Sequence, residues 1–299
     1  MLRTSGPLAS AMSRRTLLVA GAATATGLLT GAPARASDGV TGGLHALEEQ
    51  YGARLGVYAH NGRTGETVRH RADTLFPICS LFKTLAAAAV LRDLDRDGEV
   101  LSRRIHYTAA DLVEFSDVTK EHLATGMTIA ELCEAAICWS DNTAGNLLLR
   151  ELGGPTAITR FARSLGDPVT RLDRWETELN SGEPWRTTDT TSPRAIARTY
   201  ARLVLGDALS RTDRTLLTDW LLHNKTSDTR LRAGLPSSWA VADKTGGGSY
   251  GTNNNVGIAW TEDGAPLVLS ILSRKFDQDA ASENKLIADT ARFLADVLR

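Results

Sequence analysis

The chain has 299 residues, of which 42% are hydrophobic and 23% are charged. This composition is ordinary for a soluble globular protein and argues against a disordered chain. The 34 basic and 35 acidic residues nearly cancel, and the absence of basic runs argues against nucleic-acid binding.

The first 36 residues have the three parts of an export signal. The pair Arg14-Arg15 precedes an apolar run at 17–29, and Ala34-Arg35-Ala36 gives a small-x-small cleavage site. The run is short for a transmembrane helix, and the arginine pair favours the twin-arginine route. We therefore expect residues 1–36 to be a cleaved signal peptide and the mature protein to be secreted. A Sec signal or a membrane anchor is the alternative.

Strands are predicted near both ends of the remaining chain, 37–299. Residues 55–60 and 67–70 alternate around the turn dipeptide Asn61-Gly62, which predicts a hairpin. Three later strands are predicted at 239–244, 256–260 and 266–273. We expect these segments to form one five-stranded antiparallel sheet, in a lobe made of about 40–72 and 225–299.

The middle of the chain, about 73–224, is predicted to be a helical lobe. Residues 84–94 are rich in Ala and Leu, and Thr128-Ile-Ala-Glu131 has the pattern of a capping box. Other helices are predicted to begin near Asn142, Pro155, Pro193 and Asp213. The C-terminal helix has an apolar stripe of Ile287, Ala291, Leu294 and Leu298. The fold class is therefore α+β, with helices packed on the sheet of one lobe and a ligand cleft between the two lobes.

Ser80-Leu-Phe-Lys83 is the first motif with chemical potential. At spacing i, i+3 on a helix, the hydroxyl and the amine share a face. A serine becomes a nucleophile when a neighbouring base takes its proton, and a lysine whose pKa is lowered can be that base. In isolation the string is common, and its usual interpretation is a surface Ser and Lys.

Two further motifs follow in the chain. Ser140-Asp-Asn142 falls in a break between predicted helices, where its hydroxyl could protonate a leaving nitrogen and its amide could hold a carbonyl. Lys244-Thr-Gly246, followed by Gly247, comes at the end of a predicted strand, where a backbone N–H could face an oxyanion. Each string alone is also consistent with a helix cap or a hairpin turn.

In this order the three motifs resemble those of the class A serine β-lactamases, a set that penicillin-binding proteins share. The resemblance covers nearly all of residues 40–299. It implies an acyl-enzyme on Ser80, with Lys83 or Glu176 as the base, Ser140 as a proton relay, and the backbone N–H groups of Ser80 and Gly247 as the oxyanion hole. The residues that it implies for substrate binding are Asn142, Asn180, Lys244, Thr245, Gly246, Arg230 and Phe115.

A fourth motif separates the two relatives. Arg174-Trp-Glu176-Thr-Glu-Leu-Asn180 resembles the Ω-loop of class A enzymes, in which the residues matching Glu176 and Asn180 hold the deacylating water. A carboxylate can activate water beside an acyl-serine ester. Penicillin-binding proteins lack this loop. The resemblance also implies that an Arg174–Asp189 pair closes the loop and that Asn146 braces it.

Three positions depart from the family pattern. Thr252-Asn-Asn-Asn255 holds no Arg for the substrate carboxylate, and Arg230 lies where some members have a substitute; the alternative is a surface arginine next to a structural Arg232. Thr177 follows Glu176 where many members have Pro. Gly248 stands where carbapenem-hydrolysing relatives have a Cys that pairs with the one matching Cys79, so that bridge is excluded.

Cysteine and histidine patterns argue against disulfide and metal chemistry. The odd number of cysteines excludes a complete disulfide framework, so we expect Cys79, Cys133 and Cys138 to be buried and unpaired. The six histidines form no H-x-H or H-E-x-x-H pair, so no metal and no cofactor are expected.

These patterns together predict a monomeric secreted hydrolase that opens the β-lactam amide of penicillins and cephalosporins and so confers resistance. A D-alanyl-D-alanine peptidase is one alternative, against which Glu176 and Asn180 argue. A β-lactam sensor that is acylated once is another, and it would need a membrane-spanning segment, which is not predicted after residue 36. The sequence leaves the ranking of substrates open.

Overall fold

The computed structural model describes residues 32–299, with side chains from residue 39 onward. The predicted signal peptide therefore lies outside the described residues, apart from the backbone of its final segment, 32–36. Within the described range, no helix has both the length and the apolar character needed to cross a bilayer.

The strands account for the sheet lobe that the sequence predicts. They are β1 (Arg54–Asn61), β2 (Thr67–His70), β3 (Phe76–Pro77), β4 (Arg104–Ile105), β5 (Met127–Thr128), β6 (Thr190–Thr191), β7 (Ala240–Gly248), β8 (Thr252–Trp260) and β9 (Pro266–Arg274). Five of them form one antiparallel sheet in the order β2-β1-β9-β8-β7. The predicted five-stranded antiparallel sheet is thus confirmed. The short pairs β3–β6 and β4–β5 were not predicted.

The prediction placed the ends of β7 and β8 wrongly. The motif Lys244-Thr-Gly246 lies inside β7, because this strand continues to Gly248. Its partner β8 begins at Thr252, so the run Thr252–Asn255 belongs to the sheet and pairs with 245–248. These polar side chains are buried. The alternation of apolar and polar residues predicts only strands with one solvent-exposed face, so it could not detect this part of β8.

The helices fill the middle of the chain as expected. They are α1 (Ala32–Tyr51), α2 (Phe82–Ala89), α3 (Glu99–Ser102), α4 (Asp117–Glu121), α5 (Ile129–Glu134), α6 (Asn142–Glu151), α7 (Thr156–Ser164), α8 (Pro193–Val204), α9 (Arg211–Leu222), α10 (Leu231–Gly234) and α11 (Asn284–Leu298). The predicted capping box at Thr128 and Glu131 forms, and Ser192 caps α8 with Pro193 in its first turn. Helix α1, which precedes the first strand, was not predicted.

The large sheet separates two hydrophobic cores. Successive side chains of a strand point to opposite faces, so Leu267, Leu269 and Ile271 of β9 enter one core while Val268 and Leu272 enter the other. Helices α1 and α11 cover the first face, and the helical lobe covers the second. Strand β7 forms one edge of the sheet, against the turn Cys79–Leu81, and this edge borders the site.

Candidate active site

Ser80 and Lys83 lie where the chain enters the helical lobe. Ser80 is in a 3₁₀ turn, Cys79–Leu81, that leads directly into α2. The Nζ atom of Lys83 is 3.0 Å from the Oγ atom of Ser80, and both residues are buried. The predicted i, i+3 spacing therefore places an amine within hydrogen-bond distance of the serine hydroxyl.

The amine of Lys83 has three more neighbours that come from distant parts of the chain. It donates to the backbone carbonyl of Ser140 at 2.8 Å and to Oδ1 of Asn142 at 2.6 Å. Its Nζ atom also lies 3.1 Å from Oε1 of Glu176. Lys83 thus connects the serine to both other motifs of the helical lobe. A Cβ atom at Gly145 would lie 2.9 Å from the lysine Cε, so this close approach depends on glycine there.

Asp141, the central residue of the second motif, has a structural role. Its carboxylate caps α6 by accepting from the backbone N–H of Ala144 at 2.8 Å, and it also accepts from the backbone N–H of Thr119 at 2.9 Å. Asn142 donates to the carbonyl of Glu114 at 2.9 Å. The helix-cap interpretation therefore applies to Asp141, while Asn142 faces Lys83 and the cleft.

Glu176 is held by two asparagines. Asn146 of α6 accepts from the backbone N–H of Glu176 at 2.9 Å and donates to its carbonyl at 3.0 Å. The amide of Asn180 donates to Oε2 of Glu176 at 2.5 Å. Among the described protein atoms, Oε1 of Glu176 and Oδ1 of Asn180 are buried without a hydrogen-bond partner. The peptide bond between Glu176 and Thr177, which the sequence left open, is cis.

An ion pair closes the loop that carries Glu176. The Nε atom of Arg174 donates to Oδ2 of Asp189 at 2.6 Å, and Oδ1 of Asp189 accepts from the backbone N–H groups of Asp173 and Arg174. The side chain of Asp189 is 1% exposed. A carboxylate that is buried and bonded in this way joins the two ends of the loop.

Four of the seven non-glycine residues with positive φ in the described part of the chain lie around the site. Cys79, Phe115, Ser140 and Asp189 have φ angles of 46°, 58°, 59° and 54°. Such conformations cost free energy for residues with a Cβ atom, and packing must maintain them. The chain thus accepts local strain at the positions that orient Ser80, Ser140 and the glutamate loop.

The third motif forms the opposite wall of the cleft. Lys244 is fully buried, and its Nζ atom donates to the carbonyl of Thr245 at 3.0 Å. Burial lowers the pKa of Lys244 well below its usual range, and the positive charges of Lys83 and Arg230 lower it further. A Cβ atom at Gly246 would lie 3.2 Å from Cβ of Cys79 and 3.3 Å from the carbonyl oxygen of Ile78, so glycine allows β7 to pass close to the turn that carries the nucleophile.

Arg230 lies beside this strand. Its Nη1 atom donates to the carbonyl of Gly246 at 3.3 Å, and its Nε atom donates to Oδ1 of Asn284 at 3.0 Å. Burial lowers the pKa of the Arg230 guanidinium, although an arginine stays charged at neutral pH. Arg232 points elsewhere and pairs with Asp243 at 3.0 Å. The structure therefore separates the two arginines into a cleft residue and a structural one.

The cleft has a volume of about 740 Å³, which suits a drug-sized ligand. Its lining includes the sequence-predicted residues Ser80, Ser140, Asn142, Asn180, Thr245, Gly246, Gly247, Arg230 and Phe115. Lys83, Glu176 and Lys244 are buried behind this surface. At the cleft, the side chains of Phe115 and Trp139 are exposed, at 78% and 55%.

Sequence reasoning missed several residues of the cleft. Trp139 and Thr226 line it, and the hydroxyl of Thr226 contacts that of Thr245. The position of Trp139 next to Ser140 was a usable signal. No sequence signal identified Thr226, because only the packing of its loop against β7 brings it next to Thr245.

The three cysteines are free and buried, as predicted. Burial raises the pKa of the Cys79 thiol. The Sγ atom of Cys79 would lie 3.1 Å from a Cβ atom at position 248, so a cysteine at Gly248 would be adjacent to it.

Comparison with known proteins gives consistent matches along the chain. A family model described as "Beta-lactamase enzyme family" matches residues 41–298. The sequence is 58% identical to a β-lactamase of Streptomyces fradiae, over 96% of this chain and 97% of that protein. The solved β-lactamase from Streptomyces albus G is similar with a TM-score of 0.86 and 61% identity, over 87% of this chain and 100% of that one. An ancestral class A β-lactamase is similar with a TM-score of 0.82 and 50% identity, over 86% and 99%.

Proposed function

Because this chain belongs to the β-lactamase enzyme family and is a class A β-lactamase, we propose that it hydrolyses penicillins and cephalosporins through an ester on Ser80. The observation that carries this proposal is the position of the buried Lys83 amine, 3.0 Å from Oγ of Ser80 and 3.1 Å from Oε1 of Glu176. The Lys83 amine thus contacts both the serine nucleophile and the carboxylate that would activate the hydrolytic water. This hydrolysis would confer resistance to β-lactams.

In the first half-reaction, Oγ of Ser80 attacks the β-lactam carbonyl. Its proton passes to Lys83, or onward to Glu176, and the backbone N–H groups of Ser80 and Gly247 stabilise the oxyanion. The C–N bond then breaks, and the proton taken from Ser80 passes from the base through the hydroxyl of Ser140 to the ring nitrogen, so Ser140 ends the step protonated. Arg230 and the hydroxyl of Thr245 bind the substrate carboxylate, and the charge of Lys244, buried behind them, attracts it. Asn142 and Asn180 line the cleft beside the substrate, and Phe115 flanks the entrance.

In the second half-reaction, Glu176 takes a proton from a water molecule that attacks the Ser80 ester. Oδ1 of Asn180 is buried without a hydrogen-bond partner among the described protein atoms, and Oε1 of Glu176 has none besides its ion-pair contact with Lys83. These oxygens support the assignment, because a bound water molecule needs acceptors of this kind. The acyl group leaves as the ring-opened acid, and the proton returns to Oγ of Ser80. The cycle consumes one water and needs no cofactor in this scheme.

Turnover of a chromogenic cephalosporin by purified residues 37–299 tests the proposal. The wild type should release many products per enzyme, and Ser80→Ala should release none. Glu176→Gln should give a burst of about one product per enzyme and a covalent adduct on Ser80 in the mass spectrum. Fast, continued turnover by Glu176→Gln would contradict the role of this residue. A wild-type burst that stalls would favour the peptidase or sensor alternative.

We also propose that residues 1–36 direct export through the twin-arginine route and that a monomer acts outside the cytoplasm. The arginine pair and the small residues before Ser37 support this proposal. The secreted protein should begin at Ser37 by mass spectrometry and elute at the monomer volume. Replacing Arg14 and Arg15 with lysine should stop secretion; continued secretion would favour the Sec route.

A further inference from the structure

Two histidines and a glutamate that are distant in sequence meet at the edge of the large sheet. His45 and Glu48 lie one turn apart on α1, and His70 ends the edge strand β2. The Nδ1 atom of His45 and the Nε2 atom of His70 each lie 3.1 Å from the same oxygen, Oε2 of Glu48. The three ligand atoms lie within 4.8 Å of one another. Two imidazole nitrogens and one carboxylate oxygen thus lie close enough together to share one ion.

His70 is the least satisfied member of this cluster. Its side chain is 5% exposed, and its Nε2 atom is buried without a hydrogen-bond partner among the described protein atoms. The nearest charged group to this nitrogen is the carboxylate of Glu48, whose Oε2 atom lies 3.1 Å away. A buried nitrogen without a partner needs an explanation.

We propose that His45, Glu48 and His70 bind one divalent transition-metal ion of the Zn²⁺ type. Two histidines and one carboxylate are a donor set that Zn²⁺ takes in proteins, with bonds of roughly 2.0–2.2 Å. A tetrahedral ion with such bonds separates its ligand atoms by roughly 3.3–3.5 Å, so the two 3.1 Å histidine–carboxylate contacts need only a small adjustment. The two histidine nitrogens, which lie within 4.8 Å of each other, must reach the same separation. The side chain of His45 is 51% exposed, which leaves the fourth position to water.

Arg71 sets a limit on the affinity of this site. Its guanidinium donates to Oε1 and Oε2 of Glu48, at 2.9 Å each, and the backbone N–H of Leu55 donates to Oε1 at 2.8 Å. A carboxylate has about four lone-pair sites, so one remains on Oε2. The positive charge of Arg71 repels a cation, so we expect this arginine to weaken metal binding.

The metal would act as a clamp between α1 and β2 and would leave hydrolysis unchanged. None of its three ligands lines the cleft. Helix α1 packs on the sheet face opposite the helical lobe, so the ion would hold the N-terminal helix to the sheet edge. Sequence motifs could not predict this site, because its ligands lie on two separate elements.

Titration of the purified, tag-free and chelator-treated protein with Zn²⁺ tests this proposal. We expect one ion per chain by calorimetry and a melting temperature that rises with Zn²⁺ concentration. Co²⁺ at the same site should give the visible absorption of a four-coordinate ion. His45→Ala should weaken binding by more than the roughly 10–100-fold that loss of an outer-shell partner costs, and it should hydrolyse a chromogenic cephalosporin normally.

His223→Ala is the matched control. The Nδ1 atom of His223 lies 3.4 Å from Oδ1 of Asp219 on α9, so it is an exposed histidine–carboxylate pair that lies outside the three-ligand cluster. This variant should bind Zn²⁺ as the wild type does. The proposal is overturned if the wild type binds no Zn²⁺, or if His45→Ala and His70→Gln bind it as tightly as the wild type. Equal loss in His223→Ala would also overturn it, because binding would then be adventitious.

Discussion

The Nζ atom of Lys83 and the Oε1 atom of Glu176 are 3.1 Å apart, and neither side chain has any exposed surface. Removal of one member of such a pair leaves a buried charge without compensation. Lys83→Met should therefore lower the free energy of unfolding by about 3–5 kcal/mol. The double variant Lys83→Met/Glu176→Gln should be less destabilised than the sum of the single variants. Urea denaturation checks this, and strictly additive effects would show that the two charges do not compensate each other.

Asn146 is a positioning residue for Glu176, because its amide bonds both the backbone N–H and the carbonyl of that residue. Asn146→Ala should displace the carboxylate and slow deacylation by about 10²-fold. Since acylation should continue, kcat and KM should fall together and kcat/KM should change little. Mass spectrometry during turnover should detect the acyl-enzyme. A fall in kcat/KM without an adduct would indicate that Asn146 acts on the first half-reaction.

Lys244 should limit activity at alkaline pH. Burial, with the charges of Lys83 and Arg230, lowers the pKa of Lys244, so its proton is lost at a pH below the ordinary value of roughly 10.4. The attraction for the substrate carboxylate is then lost as pH rises through the lowered pKa, and KM should rise there. Lys244→Arg stays protonated and should move this rise to higher pH. An unmoved profile in that variant would assign the titration to another group.

The same lowered pKa has a consequence for stability. Between the folded and the unfolded pKa of Lys244, the unfolded chain binds the proton and the folded chain does not. The contribution of this lysine to the free energy of unfolding should therefore increase with pH across that window. The difference in free energy of unfolding between the wild type and Lys244→Met, measured by denaturation at several alkaline pH values, should therefore change with pH. A difference that is the same at all pH values would contradict this prediction.

Arg230 should contribute to binding more than to chemistry. Hydrogen bonds to charged groups contribute roughly 1.5–3 kcal/mol, so Arg230→Ala should raise KM by about 10–100-fold for substrates with a carboxylate, with a smaller change in kcat. Arg211→Ala, at an exposed position that begins α9, is the control and should leave KM unchanged. An unaltered KM in Arg230→Ala would show that this residue does not bind the substrate carboxylate.

The thiols should be inert in the folded protein. All three cysteines are buried, and burial raises the pKa of Cys138 to about 12 and that of Cys79 and Cys133 further. Since the thiolate is the reactive form, a disulfide reagent should modify no thiol in the native state and three after denaturation. Rapid modification of the native protein would show that one of these sites opens.

The sequence determined the features that depend on neighbours along the chain. The spacing of Ser80 and Lys83 places them on one turn, the capping box at Thr128 starts α5, and the apolar stripe of α11 packs on the sheet. Each depends on interactions over a few residues, for which helix and strand periodicity is a direct guide. The resemblance to family motifs indicated which residues belong to the site, but not the distances between them.

Tertiary structure alone decided the contacts between distant segments. The 3.1 Å approach of Glu176 to Lys83, the bond of Arg230 to Asn284, and the meeting of His70 with Glu48 depend on how the lobes, loops and α1 pack. The buried polar end of β8 was not predicted for a related reason. Burial of polar groups is stable only when distant partners satisfy them, and a local pattern contains no information on those partners.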